Sequence, residues 1–192
     1  MGPSDQQPLL AERGDECALM LSAARGSEEA YFALVRRLER PLAHLLRRLG
    51  AHPDEVEDVL QDTFLRLFKA AAEWHPRAPF RAFIFRLARN AFLDHCRARR
   101  RREALVAPPS AWDPAEVPAA GNLGTRLELA DAMAQLSDAH RQVLVFSIHG
   151  GLSYREIGEV MGIPEGTVKS RVFHALRHLR SLLDVPHERA SV

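Results

Sequence analysis

The residues best equipped for chemistry lie between Leu152 and Leu183, in LSYREIGEVMGIPEGTVKSRVFHALRHLRSLL. Lys169, Ser170, Arg171, Phe173, His174, Arg177 and Arg180 recur at spacings that put them on the outside of one helix. They supply cations for phosphates and donors and acceptors for base edges. A helix of this kind reads DNA only when a second helix braces it, and the preceding residues supply one. Ser153 with Glu156 three places on forms a capping box. Ile157, Val160 and Met161 make one apolar face, and Gly158 leaves room for close helix packing. Gly162 supplies the turn, where positive φ costs a glycine little. Pro164 suits a first helical position, and Val168, Val172, Leu176 and Leu179 are expected to face inward. This is a helix-turn-helix pattern. Two short helices around a glycine also occur in ordinary bundles, so the segment by itself names no function.

A second cluster runs from Phe80 to about Arg102, FRAFIFRLARNAFLDHCRARRRR. Phe83, Ile84, Leu87, Ala88, Ala91 and Phe92 form the core side of one helix, with Arg81, Arg86, Arg89, Asn90, Arg97 and Arg99 to Arg102 outside. Arginines interleaved with aromatics suit single-stranded nucleic acid, which needs charge along its backbone and planar faces for its bases. A terminal arginine run also suits the negative pole of a helix. A third cluster, DEVEDVLQDTFLRLFKAA, sets Val56, Val59, Leu60, Thr63, Leu67 and Ala71 on one side. Asp54, Glu57, Asp58, Gln61, Asp62 and Phe68 lie off that stripe. The acidic side is either a solvated face or, beside Phe64 and Phe68, a surface for a basic protein partner.

The elements that must carry these clusters are helical throughout. Ser27 caps a helix with the stripe Tyr31, Leu34, Val35, Leu38, Leu42, Leu45 and Leu49, interrupted by Pro41 and closed by Gly50. A short helix over Glu16–Ala24 precedes it, and residues 1–14 form a loose tail. EWHPRAPF is a loop because two prolines bar a continuous helix. Residues 104–125, rich in Pro, Ala and Gly, form a linker in which Trp112 is a candidate docking anchor. Helix returns at about Arg126, and Ser137 caps the next one. The fold class is all-α, with two small helical domains at 15–103 and 126–184, and a frayed end at 185–192.

Composition narrows the function further. Lys and Arg number 26 against 25 Asp and Glu, so affinity for nucleic acid must come from local clustering of charge. The two cysteines, Cys17 and Cys96, match no CxxC pattern and read as reduced thiols. No apolar run is long enough to span a bilayer and the N-terminus has no signal pattern, which predicts a cytoplasmic protein. No nucleophile–base set or phosphate-binding glycine loop is present, since the neighbours His95 and Cys96 point to different sides of a helix. His174 and His178 have metal-ligand spacing, but no acidic or cysteine partner is near them, so no metal is expected. A simple repressor would need a dimerisation heptad or a sensor domain, and neither is evident.

EDVLQDTFLRLF, PFRAFIFRLARNAFLDHCRARRR and LSYREIGEVMGIPEGTVKSRVFHALRHLR, with a shorter likeness at LSDAHRQVLVF, resemble in sequence and in order the extracytoplasmic-function (ECF) sigma factors of bacterial RNA polymerase. The resemblance covers nearly everything except tail and linker. It implies a promoter-specificity subunit with no catalytic chemistry, no cofactor and no small-molecule substrate. Asp58, Gln61, Asp62, Phe64 and Phe68 would meet the polymerase's β′ clamp helices, and the second domain the β flap. Trp74, Arg77, Phe80, Arg86, Arg89, Asn90, Arg97, Arg99 and Arg100 would bind and help melt the minus-ten element. The Trp74–Phe80 loop would pocket a flipped base. Lys169, Ser170, Arg171, Phe173, His174 and Arg177 would read the minus-thirty-five element. At His174 the family frequently has arginine, so bidentate guanine recognition is not expected there. The resemblance also implies an anti-sigma partner that wedges between the domains.

Overall fold

A computed structural model describes residues 7–72, 74, 79–106 and 123–183, with side chains over 15–72, 74, 79–103 and 129–183. Among these residues there are eight helices and no strand. They are α1 Gln7–Ala24, α2 Glu28–Leu49, α3 Pro53–Ala71, α4 Phe80–Val106, α5 Leu123–Ala134, α6 Asp138–Ile148, α7 Tyr154–Met161 and α8 Glu165–Leu182. The all-α expectation holds. Helix α1 begins nine residues before the sequence pattern places a helix, in a stretch with no amphipathic stripe to announce it. Helix α4 runs to Val106 and α5 starts at Leu123, so both reach into the stretch assigned to the linker. Trp112 lies outside the described residues.

The first four helices form one bundle. Ser27 caps α2 by accepting from the Ala30 N–H, and the chain stays helical through Pro41 to Gly50, whose φ of 102° suits only glycine. Ala30, Leu34, Leu38, Leu42, Leu45, Leu46 and Leu49 form its buried stripe. At the start of α3 an unforeseen capping box appears: the His52 side chain accepts from Asp54 N–H, and Glu55 accepts from the His52 N–H. Helix α1 is tied to α4 by Glu16, whose carboxylate meets the Arg81 guanidinium at 3.4 Å with only 4% of its side chain exposed. Arg81 is therefore a structural residue and not part of an outer cationic face.

Helices α5 to α8 form the second unit. Ser137 caps α6, and Ser153 and Glu156 form the expected capping box at α7. Gly162 closes α7 at φ 68°. Pro164 caps α8 with extended backbone, one place ahead of its first helical residue. The inward residues of α8 are Val168, Val172, Ala175 and Leu179. Leu176, expected inward, is 40% exposed. The small Ala175 occupies that register and lets α8 approach closely.

The two units share one core. Phe85 of α4 stacks on Phe146 of α6, ring centroids 6.3 Å apart, and both are buried. Gly150 lies beneath them, where a Cβ would come within 2.8 Å of the Phe85 ring. Arg89 Nε donates to Gln142 Oε1 at 2.8 Å, and His44 packs edge-on against His149. The buried hydrophobic cluster runs without a break from Met20 to Leu179.

Gly158 tests the tightness of the α7–α8 turn. A Cβ there would stand 2.7 Å from the Ile163 carbonyl oxygen, a backbone atom that cannot swing away. Gly158→Ala should therefore destabilise the chain by about 1–3 kcal/mol in urea unfolding, although alanine is the better helix former.

Candidate nucleic-acid interface

Helix α8 projects one polar face. Lys169, Ser170, Phe173, His174 and Arg177 are exposed and Arg171 is half-buried, while α7 braces the opposite side. Phe173 is 63% exposed, with its ring edge against His174. Lys169 is held by Glu165 one turn back at 2.8 Å, and that hydrogen bond and charge raise its pKa. The six residues expected to read DNA thus share one surface, though Lys169 must leave Glu165 to serve a phosphate.

Helix α4 is more divided. Arg86, Asn90 and Arg100 are exposed, and the Arg86 guanidinium lies 5.8 Å over the Phe83 ring. Arg97 pairs with Asp94 at 2.9 Å. Arg99 turns inward to Glu55 at 2.8 Å, with His95 3.4 Å from the same carboxylate oxygen. Arg89 turns toward Gln142, and burial, with the charges of Arg97 and Arg171, lowers its pKa. Of the arginines expected on an open nucleic-acid face, Arg99 and Arg89 are therefore engaged within the protein. A pattern of residue types along one helix does not reveal acceptors on α3 and α6.

Trp74 and Phe80 are also turned inward. Trp74 is 9% and Phe80 5% exposed, with the two rings edge-to-face at 5.9 Å and Phe83 against both. As packed, these rings are core, and neither offers a free face to a flipped base. Burying two large rings is more favourable than leaving a hydrophobic pocket in water. Arg77 lies outside the described residues.

On α3 the residues Asp58, Gln61, Asp62, Leu65 and Phe68 follow one helical face. Phe68 is 60% and Leu65 51% exposed, whereas Phe64 is partly buried and packed on the core. Asp62 is bridged to Arg66 at 2.8 Å, and Arg66 reaches Asp94 of α4 at 2.9 Å. Tyr31 donates to the Phe64 carbonyl and sets its ring edge-on to both Phe68 and the 55%-exposed Phe32. Phe32 was missed in the sequence. A large apolar residue beside, and not on, the α2 stripe was its only signal.

Fold and surfaces together define a class: a two-unit helical protein with a helix-turn-helix reader at one end and an acidic, aromatic-studded helix at the other. Residues 34–102 match the model of Sigma-70 region 2, and residues 132–181 that of Sigma-70, region 4. RNA polymerase sigma factor CnrH of Cupriavidus metallidurans is 31% identical over 200 residues, covering 98% of this chain and all of the relative. ECF RNA polymerase sigma factor SigL of Mycobacterium tuberculosis is 37% identical over 178 residues, covering 85% and 96%. Among solved structures, CnrH in complex with the cytosolic domain of CnrY superposes with a TM-score of 0.66 at 30% identity, covering 88% of this chain and 97% of that one. Sigma factor RpoE in complex with the anti-sigma factor NepR from Bartonella quintana gives 0.72 at 25% identity, covering 82% and 98%. The chain belongs to the ECF sigma factors of RNA polymerase. It is a transcription initiation factor and not an enzyme.

The Glu55 cluster makes the stability of the fold depend on pH in the acid range. Burial raises the Glu55 pKa, but the Arg99 hydrogen bond and charge, the His52 N–H and His95 outweigh it and leave the pKa below its ordinary 4.5. A depressed carboxyl stabilises the fold above its unfolded value and loses that contribution as pH falls through the folded one. Unfolding followed below about pH 4.5 should therefore show a steeper loss of stability in the parent chain than in Glu55→Gln, which has no carboxyl to titrate.

Proposed function

We propose that this sigma factor docks on core polymerase through the α3 face, with Asp58, Gln61, Asp62, Phe64 and Phe68 against the β′ clamp helices, and through its second unit on the β flap. In this reading α4 binds and helps open the minus-ten element while α8 reads the minus-thirty-five element in the major groove. The observation that carries the reading is the pairing of two unlike exposed surfaces on one chain. The acidic and aromatic face of α3, to which Phe32 and Leu65 add apolar area, suits protein; the cationic face of α8 suits DNA.

The closed packing of the two units adds a requirement. Elements centred some 25 base pairs apart are separated by roughly 85 Å of duplex at 3.4 Å per step. Units that share the Phe85–Phe146 stack cannot reach both, so binding the polymerase has to part them. Parting would also free Arg89 from Gln142 and return it to the nucleic-acid face of α4. Trp74 and Phe80 take part in base capture only if their rings leave the core. An anti-sigma protein, such as the NepR bound to RpoE in one of the solved complexes, would act in the opposite direction by holding the readers away from promoter DNA. The work is cytoplasmic, beside the polymerase, and needs no cofactor; among the described residues no helix is long and apolar enough to cross a membrane.

Run-off transcription with core enzyme on genomic fragments, including the region upstream of its own gene, tests this directly: specific transcripts should require both core and this chain. Asp58→Arg and Phe68→Ala should cut core binding at least tenfold in pull-down titrations while leaving helix content unchanged, since both side chains are exposed. Asp62→Arg is a poorer probe, because it would set a second cation against Arg66. Stimulation on no fragment, or full core binding by the α3 variants, would contradict the proposal.

A further inference from the structure

Three histidines from two helices meet at one surface pocket. His140 on α6 and His174 and His178 on α8 line it together with Arg177 and Ser181, around an open volume of about 620 Å³. No carboxylate is among the lining residues. Among the described residues no group of three metal-ligating side chains is arranged to hold an ion. A pocket rich in nitrogen donors and lacking an acid fits an anion.

Two of the lining residues, His174 and Arg177, lie on the α8 face assigned above to DNA, and the pocket continues from that face onto α6. Contacts from elements flanking a recognition helix fall on the sugar–phosphate backbone and set the register of the reader. We propose that this pocket seats a backbone phosphate of duplex DNA between His140 and the His174, Arg177 and His178 side chains, and that the seat binds more tightly when its imidazoles are protonated. The inference rests on the DNA-reading role of α8 and adds to it a residue, His140, and a dependence on protons.

The charges around the seat favour that dependence. Facing His140 from α8 are Arg171, His174 and His178, with Arg177 beside them. On its own helix Asp138 is engaged with Arg141 at 3.0 Å. On α4, Arg89 feels the charge of Arg171. In the free chain burial, then the charges of His174, Arg171 and His178, lower the His140 pKa. A phosphate entering the pocket reverses the balance, so binding takes up protons and strengthens as pH falls through the histidine range. Each unit by which one imidazole's pKa rises on binding contributes about tenfold.

The test uses the full chain and a labelled duplex of about 25 base pairs, titrated by fluorescence anisotropy at constant low ionic strength at about pH 6 and about pH 8. Histidine ring protons followed by NMR through the same range report which imidazoles respond. Binding should be about tenfold tighter at the lower pH. His140→Gln and His178→Gln should each remove much of that gain. His44→Gln, at the His44–His149 contact between the two units, should keep it, which separates the pocket from any acid-driven parting of the two units. Equal affinity at both pH values, or an undiminished gain in both pocket variants, would overturn the proposal. So would inorganic phosphate at matched concentration shifting the pocket histidines as strongly as the duplex, since the seat would then hold small anions. Failure to bind duplex at either pH would instead sink the DNA-reading role itself.

Discussion

The burial of Phe85 against Phe146 is the contact on which the rest of this structure turns. Each ring belongs to a different half of the chain, and each would otherwise leave a large apolar face in water. Gly150 makes the stack possible, because any side chain there would collide with the Phe85 ring. Once the rings meet, Arg89 and Gln142 are brought within hydrogen-bonding distance, and the arginine-bearing helix and the helix-turn-helix unit come to share one interior.

Charge is distributed with comparable economy. A chain with nearly equal numbers of acids and bases cannot attract DNA as a whole, so its cations must be local and available. Helix α8 keeps most of its basic side chains outward. Helix α4 uses several of its own for structure: Arg81 anchors α1, Arg99 fastens α3, and Arg97 pairs along its own helix. Surface ion pairs of the last kind are weak and give way to a phosphate at little cost. The Glu55–Arg99 contact is largely shielded from water and is correspondingly harder to break.

Much of the fold was legible from spacing alone. The caps at Ser27, Ser137 and Ser153, the left-handed Gly50 and Gly162, and the stripes of α2 and α3 all follow from local rules acting on adjacent residues. Helix α1 was only half legible, because it is held by packing and by the Glu16–Arg81 pair, not by an amphipathic pattern of its own. Residue types also marked which sides of α8 and α3 point outward, Leu176 excepted. They did not reveal that Trp74, Phe80, Arg89 and Arg99 are packed or paired within the protein, and the reason is common to all four. Aromatics and arginines serve nucleic acid and protein interiors equally well, and only the neighbours in space decide between them. The inward place of Ala175 over Leu176 was hidden for a related reason, since a small residue gives no apolar signal yet permits the closest approach.

The shared interior also has a thermodynamic consequence. If the closed form predominates in free solution, the chain is competent for its partners only in the small fraction of time that it is open, and its apparent affinity for them is reduced by that fraction. A substitution at Phe85, Gly150 or Gln142 would then act as a gain control. It would change how much factor engages polymerase at a given cellular level, without altering a single group that touches DNA.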